Sequence, residues 1–253
     1  MKIRLDKLLV EKQLAATRQK AQALIIAGLV QVGAHRSDKP GNMVDIDSPI
    51  TITGQDCPFV SRGGFKLAKG LDYFSINPHS LVCADIGAST GGFTDCLLQN
   101  GAQKVYAIDV GYGQLDWKLR QDARVIVKER TNARHLTPAD FDEPIDLAVI
   151  DAAFISLKIL IPPLLPLFET DIAILALIKP QFEVGKGEVG KGGVVRDITL
   201  HQKVIERISQ FSRELGLKVL QVIESPLLGP KGNKEFFIYL KKDEDQGGET
   251  KGT

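Results

Sequence analysis

The chain has 253 residues, 43% of them hydrophobic, enough for one sizeable core and a small appendage, since domains commonly run ~100–200 residues. Lys+Arg 32 against Asp+Glu 31 leaves a net charge of only +1, so bulk charge advertises no polyanionic partner. Cys57, Cys83 and Cys96 are odd in number and form no C-x-x-C pair, which speaks against a disulfide framework or a metal site and for reduced thiols in a cytoplasmic protein; the most apolar stretch, Ile155–Phe168, is broken by Lys158, Pro162, Pro163 and Pro166 and falls short of the ~20 residues that span a membrane.

Leu5, Leu8 and Leu9 recur at helical spacing, as do Ala21, Leu24 and Ile25, and Thr17 and Gly28 stand where the second of these two helices needs its caps. Leu29–Val32, Val44-Asp45-Ile46 and Ile50-Thr51-Ile52 then alternate like half-buried strands around turns at Gly33, Pro40 and Gly41. This small α+β unit is expected over residues 1–56. Charge is concentrated in it: Met1–Lys39 holds eight Lys/Arg against three Asp/Glu, namely Asp6, Glu11 and Asp38. Residues 57–62, with Pro58 and Phe59, read as a linker to a second domain over 63–242, and the polar stretch 243–253 as a disordered tail.

From Leu81 onward, strands and helices alternate. Leu81–Ile86, Lys104–Val110, Arg124–Lys128, Ile145–Asp151 and Ile172–Ile178 read as buried strands, with helices at Phe93–Gln99, Gln114–Gln121 and Ser156–Leu160 between most of them. That order predicts an α/β fold with a doubly wound, mostly parallel sheet. A helix over Ile198–Leu215 precedes Lys218–Glu224, a Pro/Gly loop and Glu235–Leu240, an antiparallel edge hairpin that distinguishes methyltransferase sheets from dinucleotide-binding ones.

Asp85–Thr94, Asp-Ile-Gly-Ala-Ser-Thr-Gly-Gly-Phe-Thr, lies between the first strand of that sheet and its helix. Gly87, Gly91 and Gly92 allow positive φ and close approach of backbone N–H groups to a ligand, and Asp85 offers an acceptor at the carboxyl edge of the sheet, where open α/β sheets bind ligands. The spacing is neither G-x-G-x-x-G nor G-x-x-x-x-G-K-[ST], so a cofactor without phosphates fits better, and S-adenosylmethionine is expected. Ala88, Ser89 and Phe93 complete the turn, Phe93 serving either the core or the cofactor. Asp109, after the second strand, suits ribose hydroxyls of an adenosyl group and would equally suit NAD; Asn132 either contacts adenine or forms a turn.

The opening unit, through Arg4-Leu5-Asp6, Thr17-Arg18-Gln19-Lys20-Ala21, Ile26-Ala27-Gly28-Leu29-Val30 and Lys39-Pro40-Gly41, resembles the RNA-binding domain named for the fourth small-subunit ribosomal protein. It departs from that family at Val32-Gly33-Ala34, where Val-Asn-Gly is frequent. The resemblance implies that Arg4, Lys7, Arg18 and Lys20 meet RNA phosphates, with Arg36, Lys39 and Arg62 as further candidates; a plain solvated basic face is the alternative. Lys186 and Lys191, in the glycine-rich segment Lys179–Arg196, read either as part of a mobile lid over RNA or as a surface loop.

Lys66, Asp151, Lys179 and Glu235 fall at or near strand ends, where such a sheet would gather them. In order and context they match the Lys-Asp-Lys-Glu tetrad of the FtsJ-like ribose methyltransferases. With the basic N-terminal unit, and with Ser61–Lys66, Ile108–Leu115, Glu129–Asn132 and Lys179–Glu183, the chain resembles the TlyA family, ribosomal-RNA 2′-O-methyltransferases long labelled haemolysins. The resemblance implies methyl transfer to a ribose hydroxyl, of cytidine in TlyA relatives, with ribosomal RNA or ribosomal subunits as partner; no membrane is expected, for want of a spanning segment, and no metal, for want of a His/Cys/acid cluster with ligand spacing. A ribose hydroxyl is a very weak acid and needs a base within hydrogen-bond reach, a role for Lys179; a nearby Lys66 would favour loss of its proton, while Asp151 and Glu235 would orient the lysines, bind the sulfonium side and oppose that loss. Taken singly, Asp151 also suits a helix cap, Lys179 a surface lysine and Lys66–Glu235 a surface ion pair. The competing functions are a non-catalytic RNA-binding or ribosome-assembly protein and a membrane-lytic haemolysin.

Overall fold

The computed structural model describes residues 2–15, 17–26, 28–33, 35–52, 58–185, 187–190 and 192–242. Linker residue Cys57, the expected tail 243–253 and the candidate RNA contacts Lys186 and Lys191 lie outside the described residues.

The opening unit holds β1 (Lys2–Arg4), α1 (Leu5–Glu11), α2 (Arg18–Ile26), β2 (Val30–Val32), β3 (His35–Arg36), β4 (Met43–Asp45) and β5 (Ile50–Ile52). β1 pairs antiparallel with β4, and β2 lies between β3 and β5. The apolar positions read as helical close a separate small core, with Leu5, Leu9, Ala21, Ile25 and Val30 fully buried. Both caps of α2 form: Thr17 Oγ1 accepts from the Lys20 N–H at 3.1 Å, and Gly28, at φ +64°, donates its N–H to the Ile25 carbonyl at 2.8 Å. Strand β1 has no counterpart in the sequence reading, because three residues are too few to show alternation.

The larger part runs α3 (Gly63–Tyr73), β6 (Val82–Ile86), α4 (Gly92–Gln99), β7 (Lys104–Ile108), α5 (Trp117–Arg120), β8 (Val125–Lys128), β9 (Leu147–Ile150), α6 (Leu157–Leu164), β10 (Ala173–Ile178), α7 (Pro180–Glu183), α8 (Ile198–Glu214), β11 (Leu217–Glu224) and β12 (Phe236–Lys242). One seven-stranded sheet has the order β11-β12-β10-β9-β6-β7-β8. Its strands are parallel except β12, which is antiparallel to both β10 and β11, so the expected edge hairpin is present. Alternate residues of each strand face opposite layers: Ala84, Ile108, Ile150 and Ile178 pack with α6 and α8, while Cys83, Val105, Val149 and Leu177 pack with α3, α4 and α5.

Helices α3 and α5 depart from the sequence reading for identifiable reasons. Helix α3 is absent from it because Gly63, Gly64 and Gly70 lower helical propensity. Packing demands these glycines: a Cβ on Gly64 would lie 2.2 Å from Phe59 Cγ, and one on Gly70 3.2 Å from Leu175 Cδ2. The helix expected over Gln114–Gln121 contracts to the single turn of α5, capped by Asp116, whose side chain accepts from the Lys118 N–H at 3.0 Å.

Candidate active site

Chain direction across the sheet reverses between β6 and β9, whose parallel register pairs Ile86 with Ile150. The turns that follow these strands diverge at this switch point, which is where open α/β sheets make their crevice. A cleft of about 950 Å³ opens there. Gly87, at φ +86°, begins the first turn and lies so near the second that a Cβ would sit 3.0 Å from Ala152 Cα. Ala88, Ser89, Gly92, Phe93, Asp109, Asn132 and Asp151 line the cleft with it.

Asp85 and Gly91 do not line the cleft, and the structure gives them a different part from the ligand contact expected. Asp85 is fully buried, and its Oδ2 accepts from the Thr94 N–H at 2.9 Å and the Thr94 hydroxyl at 2.6 Å, so it ties β6 to the first turn of α4. Its Oδ1 has no hydrogen-bond partner among the described residues. Burial, aided by the charges of Asp151 and Asp109, pushes its carboxyl up to about 7 against the pull of Thr94. Gly91, at φ +94°, caps α4, and a Cβ there would lie 2.2 Å from Leu119 Cδ1.

Asp109 braces the glycine turn and the loop after β7: Oδ2 accepts from the Ser89 N–H at 2.8 Å and Oδ1 from the Gly111 N–H at 2.7 Å. Asn132 lines the cleft and also forms a turn, its Oδ1 accepting from the Arg134 N–H at 3.2 Å. Phe93 is 3% exposed and its ring lies 6.4 Å from that of Phe237, so it serves core and cleft together.

Of the four tetrad candidates, Lys66, Asp151 and Lys179 reach the cleft wall. Lys66 projects from α3, Asp151 follows β9, Lys179 follows β10, and Glu235 precedes β12. The pairing of Ile178 with Phe236 sets Lys179 and Glu235 beside each other at one end of two neighbouring strands. Two ion pairs result: Lys66 Nζ stands 2.6 Å from Glu235 Oε2, and Lys179 Nζ stands 2.5 Å from Asp151 Oδ1 and donates to the Asp151 carbonyl at 3.3 Å. Both lysines are nearly buried and Glu235 is 1% exposed. The sequence reading set the two lysines against each other; the structure gives each its own carboxylate. Glu235 stands behind Lys66, and its Oε1 lies 3.5 Å from Gln181 Nε2.

Sequence reading missed the loop after Asp151. Phe154 is 89% exposed at φ +64° on the cleft wall, its ring 4.9 Å from that of Phe182. Glu183 anchors this loop, accepting from the Ser156 hydroxyl at 2.7 Å and the Leu157 N–H at 2.8 Å. Burial pushes its carboxyl above the ordinary value against those hydrogen bonds. Period-based patterns carry no signal for such a loop.

In the opening unit, Arg4 and Arg18 converge on one buried carboxylate. Asp6 is 0% exposed; it accepts from Arg4 Nε at 3.0 Å and Nη2 at 2.9 Å, Arg18 Nε at 3.0 Å and Gln22 Nε2 at 2.9 Å. Lys7, Lys20, Arg36 and Lys39 are exposed, and Arg62 is half-buried on the cleft wall. Residues 193–195 of the glycine-rich segment are tied down rather than free: Asn233 Nδ2 donates to the Gly193 carbonyl at 3.0 Å, Asn233 Oδ1 accepts from the Val195 N–H at 3.1 Å, and His201 Nε2 donates to the Val195 carbonyl at 2.9 Å. Among the described residues no group of three His, Cys, Asp or Glu is placed to hold a metal ion, and no helix is long and apolar enough to cross a membrane.

A mostly parallel seven-stranded sheet closed by an antiparallel hairpin, with a glycine turn and acidic strand ends at its switch point, defines a methyltransferase of the doubly wound class. Residues 59–242 match the FtsJ-like methyltransferase family and residues 3–50 match the S4 domain. The chain is 46% identical to the 16S/23S rRNA (cytidine-2′-O)-methyltransferase TlyA of Mycobacterium tuberculosis, across 98% of this chain and 93% of that one. It is 39% identical to Hemolysin A of Brachyspira hyodysenteriae, across 94% and 99% of the two chains. A solved structure from Streptococcus thermophilus, 42% identical, superposes with a TM-score of 0.77 over 96% of this chain and 89% of that one. The chain belongs to the TlyA family of FtsJ-like methyltransferases.

Proposed function

We propose that this protein transfers a methyl group from S-adenosylmethionine to the 2′-hydroxyl of a cytidine in ribosomal RNA, in the cytoplasm where ribosomal subunits are available. The observation that carries this reading is the pair of near-buried lysine–carboxylate contacts, Lys66–Glu235 and Lys179–Asp151, beside a glycine-lined cleft. The nucleotide and RNA class follow from TlyA relatives, and the matched S4 domain supports an RNA partner.

The cleft residues suit the methyl donor. Gly87 leaves a space that a side chain would fill, backbone from Gly87 to Ser89 faces the cleft, and the Asp109 carboxylate offers acceptors for ribose hydroxyls. When bound, S-adenosylmethionine supplies an electrophilic methyl carbon on a positively charged sulfur. The chain's residues do the rest. As the 2′-oxygen bonds to that carbon and the carbon–sulfur bond breaks to release a neutral thioether, the hydroxyl proton would pass to Lys179 Nζ, whose ammonium form Asp151 would hold. Lys66, held by Glu235, presents its Nζ at the cleft to orient the hydroxyl oxygen. Near-burial of both lysines excludes water that would otherwise compete for these contacts.

The test is to incubate the protein with methyl-labelled S-adenosylmethionine and unmodified ribosomal subunits, map the labelled positions, and repeat with Lys179→Ala. Label at one or two ribose 2′-oxygens of cytidine, lost in the variant, is the expected result. Binding of cofactor and subunits without label would favour a non-catalytic assembly protein, and leakage of liposomes by lipid-free protein a lytic one.

A further inference from the structure

A third carboxylate stands beside the two lysine–carboxylate pairs. Glu183 ends α7, the single turn that follows Lys179, and it does not line the cleft. Its oxygens reach across to the loop after β9, where Oε2 accepts from the Ser156 hydroxyl at 2.7 Å and Oε1 from the Leu157 N–H at 2.8 Å. Burial holds its carboxyl above the ordinary value against those hydrogen bonds and the charges of Arg207 and Lys158. Taking a carboxylate out of water is unfavourable, and capping α6 does not demand it. Ser156 already caps that helix, its Oγ accepting from the Lys158 N–H at 3.2 Å, and first-turn N–H groups can be left to water.

The contacts close a ring. Lys179 Nζ meets the first residue of the loop, 2.5 Å from Asp151 Oδ1 and 3.3 Å from the Asp151 carbonyl. The loop runs on to Ser156 and Leu157, these meet Glu183, and the turn of α7 leads back to Lys179, whose carbonyl accepts from the Phe182 N–H at 2.9 Å. Phe182 also touches the middle of the loop, its ring 4.9 Å from that of Phe154. From the outside, Arg207 of α8 donates to the Glu183 carbonyl and seats the turn. The Asp151 N–H donates to the Ile86 carbonyl at 3.0 Å, so the loop has one end on the sheet and the other on Glu183. Without Glu183, the polar ties between this loop and the exit of β10 reduce, among the described residues, to the Lys179–Asp151 contacts themselves.

We propose that Glu183 is a positioning residue for the base: it fixes the loop after β9 against α7, so that Asp151 stays seated on Lys179. The proposal rests on the methyl transfer assigned to Lys179. A carboxylate outside the tetrad thereby sets the geometry of one of its two pairs.

The test measures kcat and KM for unmodified ribosomal subunits, the affinity for S-adenosylhomocysteine, and amide exchange at Leu157, in the full-length protein carrying Glu183→Ala, Glu183→Asp, Glu183→Gln or Ser156→Ala. Glu183→Ala is expected to speed exchange at Leu157 and to lower kcat by about 10–10², with KM and S-adenosylhomocysteine affinity within about threefold of the wild type. Glu183→Asp keeps the charge with a shorter reach and lowers kcat as well, which keeps the test decisive if the alanine variant unfolds. Glu183→Gln restores most of the lost turnover, because its amide oxygen can accept from Leu157 and its NH2 group can donate to Ser156 Oγ. Ser156→Ala loses less than Glu183→Ala, since the Leu157 contact remains. Unchanged kcat in the alanine and aspartate variants, with only thermal stability lowered, would make Glu183 a cap of α6 and overturn the proposal. A raised KM or weaker S-adenosylhomocysteine binding at unchanged kcat would overturn it too, assigning the loop to ligand binding. Failure of the broader reading looks different: the wild type would transfer no label, while Glu183→Ala still sped exchange at Leu157.

Discussion

The opening unit and the cleft both join lysines or arginines to carboxylates, but differ in the burial of the cations. In the opening unit the acid is inside: Asp6 is fully buried, while the side chains of Arg4 and Arg18 are 40% and 49% exposed. In the cleft the cations are inside, with Lys66 and Lys179 side chains 11% and 10% exposed. The first arrangement steadies two planar cations at the surface, their remaining donors available to a polyanion. The second holds two primary amines out of bulk water, as the proposed proton transfer from a ribose hydroxyl requires. On the proposed reading, burial of the cations is what separates chemistry from docking.

The strongest attempt to break this division is Lys179→Ala. Methyl transfer should fall by about 10²–10⁴, the range for loss of a general base, while subunit affinity stays within about twofold. A parallel fall in RNA affinity would show that the cleft pair also docks RNA. Gly229→Ala is a subtler disturbance of the other pair. Its Cβ would lie 2.0 Å from Glu235 Oε1, forcing that carboxylate off Lys66. Turnover at saturating RNA should drop by up to about 10², as expected for a misplaced catalytic group, with S-adenosylhomocysteine binding retained.

Asp6→Asn addresses the opening unit. Charge-assisted hydrogen bonds to Asp6 weaken or vanish, so its stability should fall by about 1.5–3 kcal/mol, read from denaturant unfolding. Hydrogen bonds from Arg4 hold the Asp6 carboxyl well below the ordinary carboxylate range, helped by Gln22 and Arg18 and opposed by burial. A depressed folded value means stability that is complete above the unfolded value of about 3.9 and is lost as pH falls through the folded one. The wild type should therefore lose this contribution only in strong acid, and the variant should show no such loss. The smallest effect belongs to Asp85, whose carboxyl is pushed up to about 7. A raised folded value gives stability that is complete below the unfolded value and is lost as pH rises through about 7. Between pH 6 and pH 8 the wild type should lose about 1 kcal/mol, a shift of ~2–4 °C in Tm, and Asp85→Asn should not.

Much of the fold was legible because buried strands are short apolar runs with distinct ends. Val82–Ile86 and Ala173–Ile178 stand out in that way, and Gly87, Asp151 and Lys179 are found by lying just beyond such runs. Helix α3 was not legible, since its glycines answer to close contacts with Phe59 and Leu175 that no helical period records. The loop carrying Phe154 was hidden for a related reason: its shape depends on Glu183, 26 or more positions away along the chain. The part played by Asp85 also escaped, because a carboxylate at a strand end suits both a ligand and a neighbouring helix turn, and only the Thr94 contacts separate the two.

By itself the sequence determined the order of elements, the parallel sheet with its reversed final hairpin, the glycine turn and the set of four ionisable residues that matches the FtsJ-like tetrad. Those properties are local, written in period, turn chemistry and spacing. Tertiary structure decided which lysine meets which carboxylate, that Asp6 rather than its arginines is buried, and that the Arg62 guanidinium lies against Gly28 at the end of α2. Such choices depend on strand register and on the approach of distant backbones, and Coulomb and solvation energies change steeply over those few ångströms.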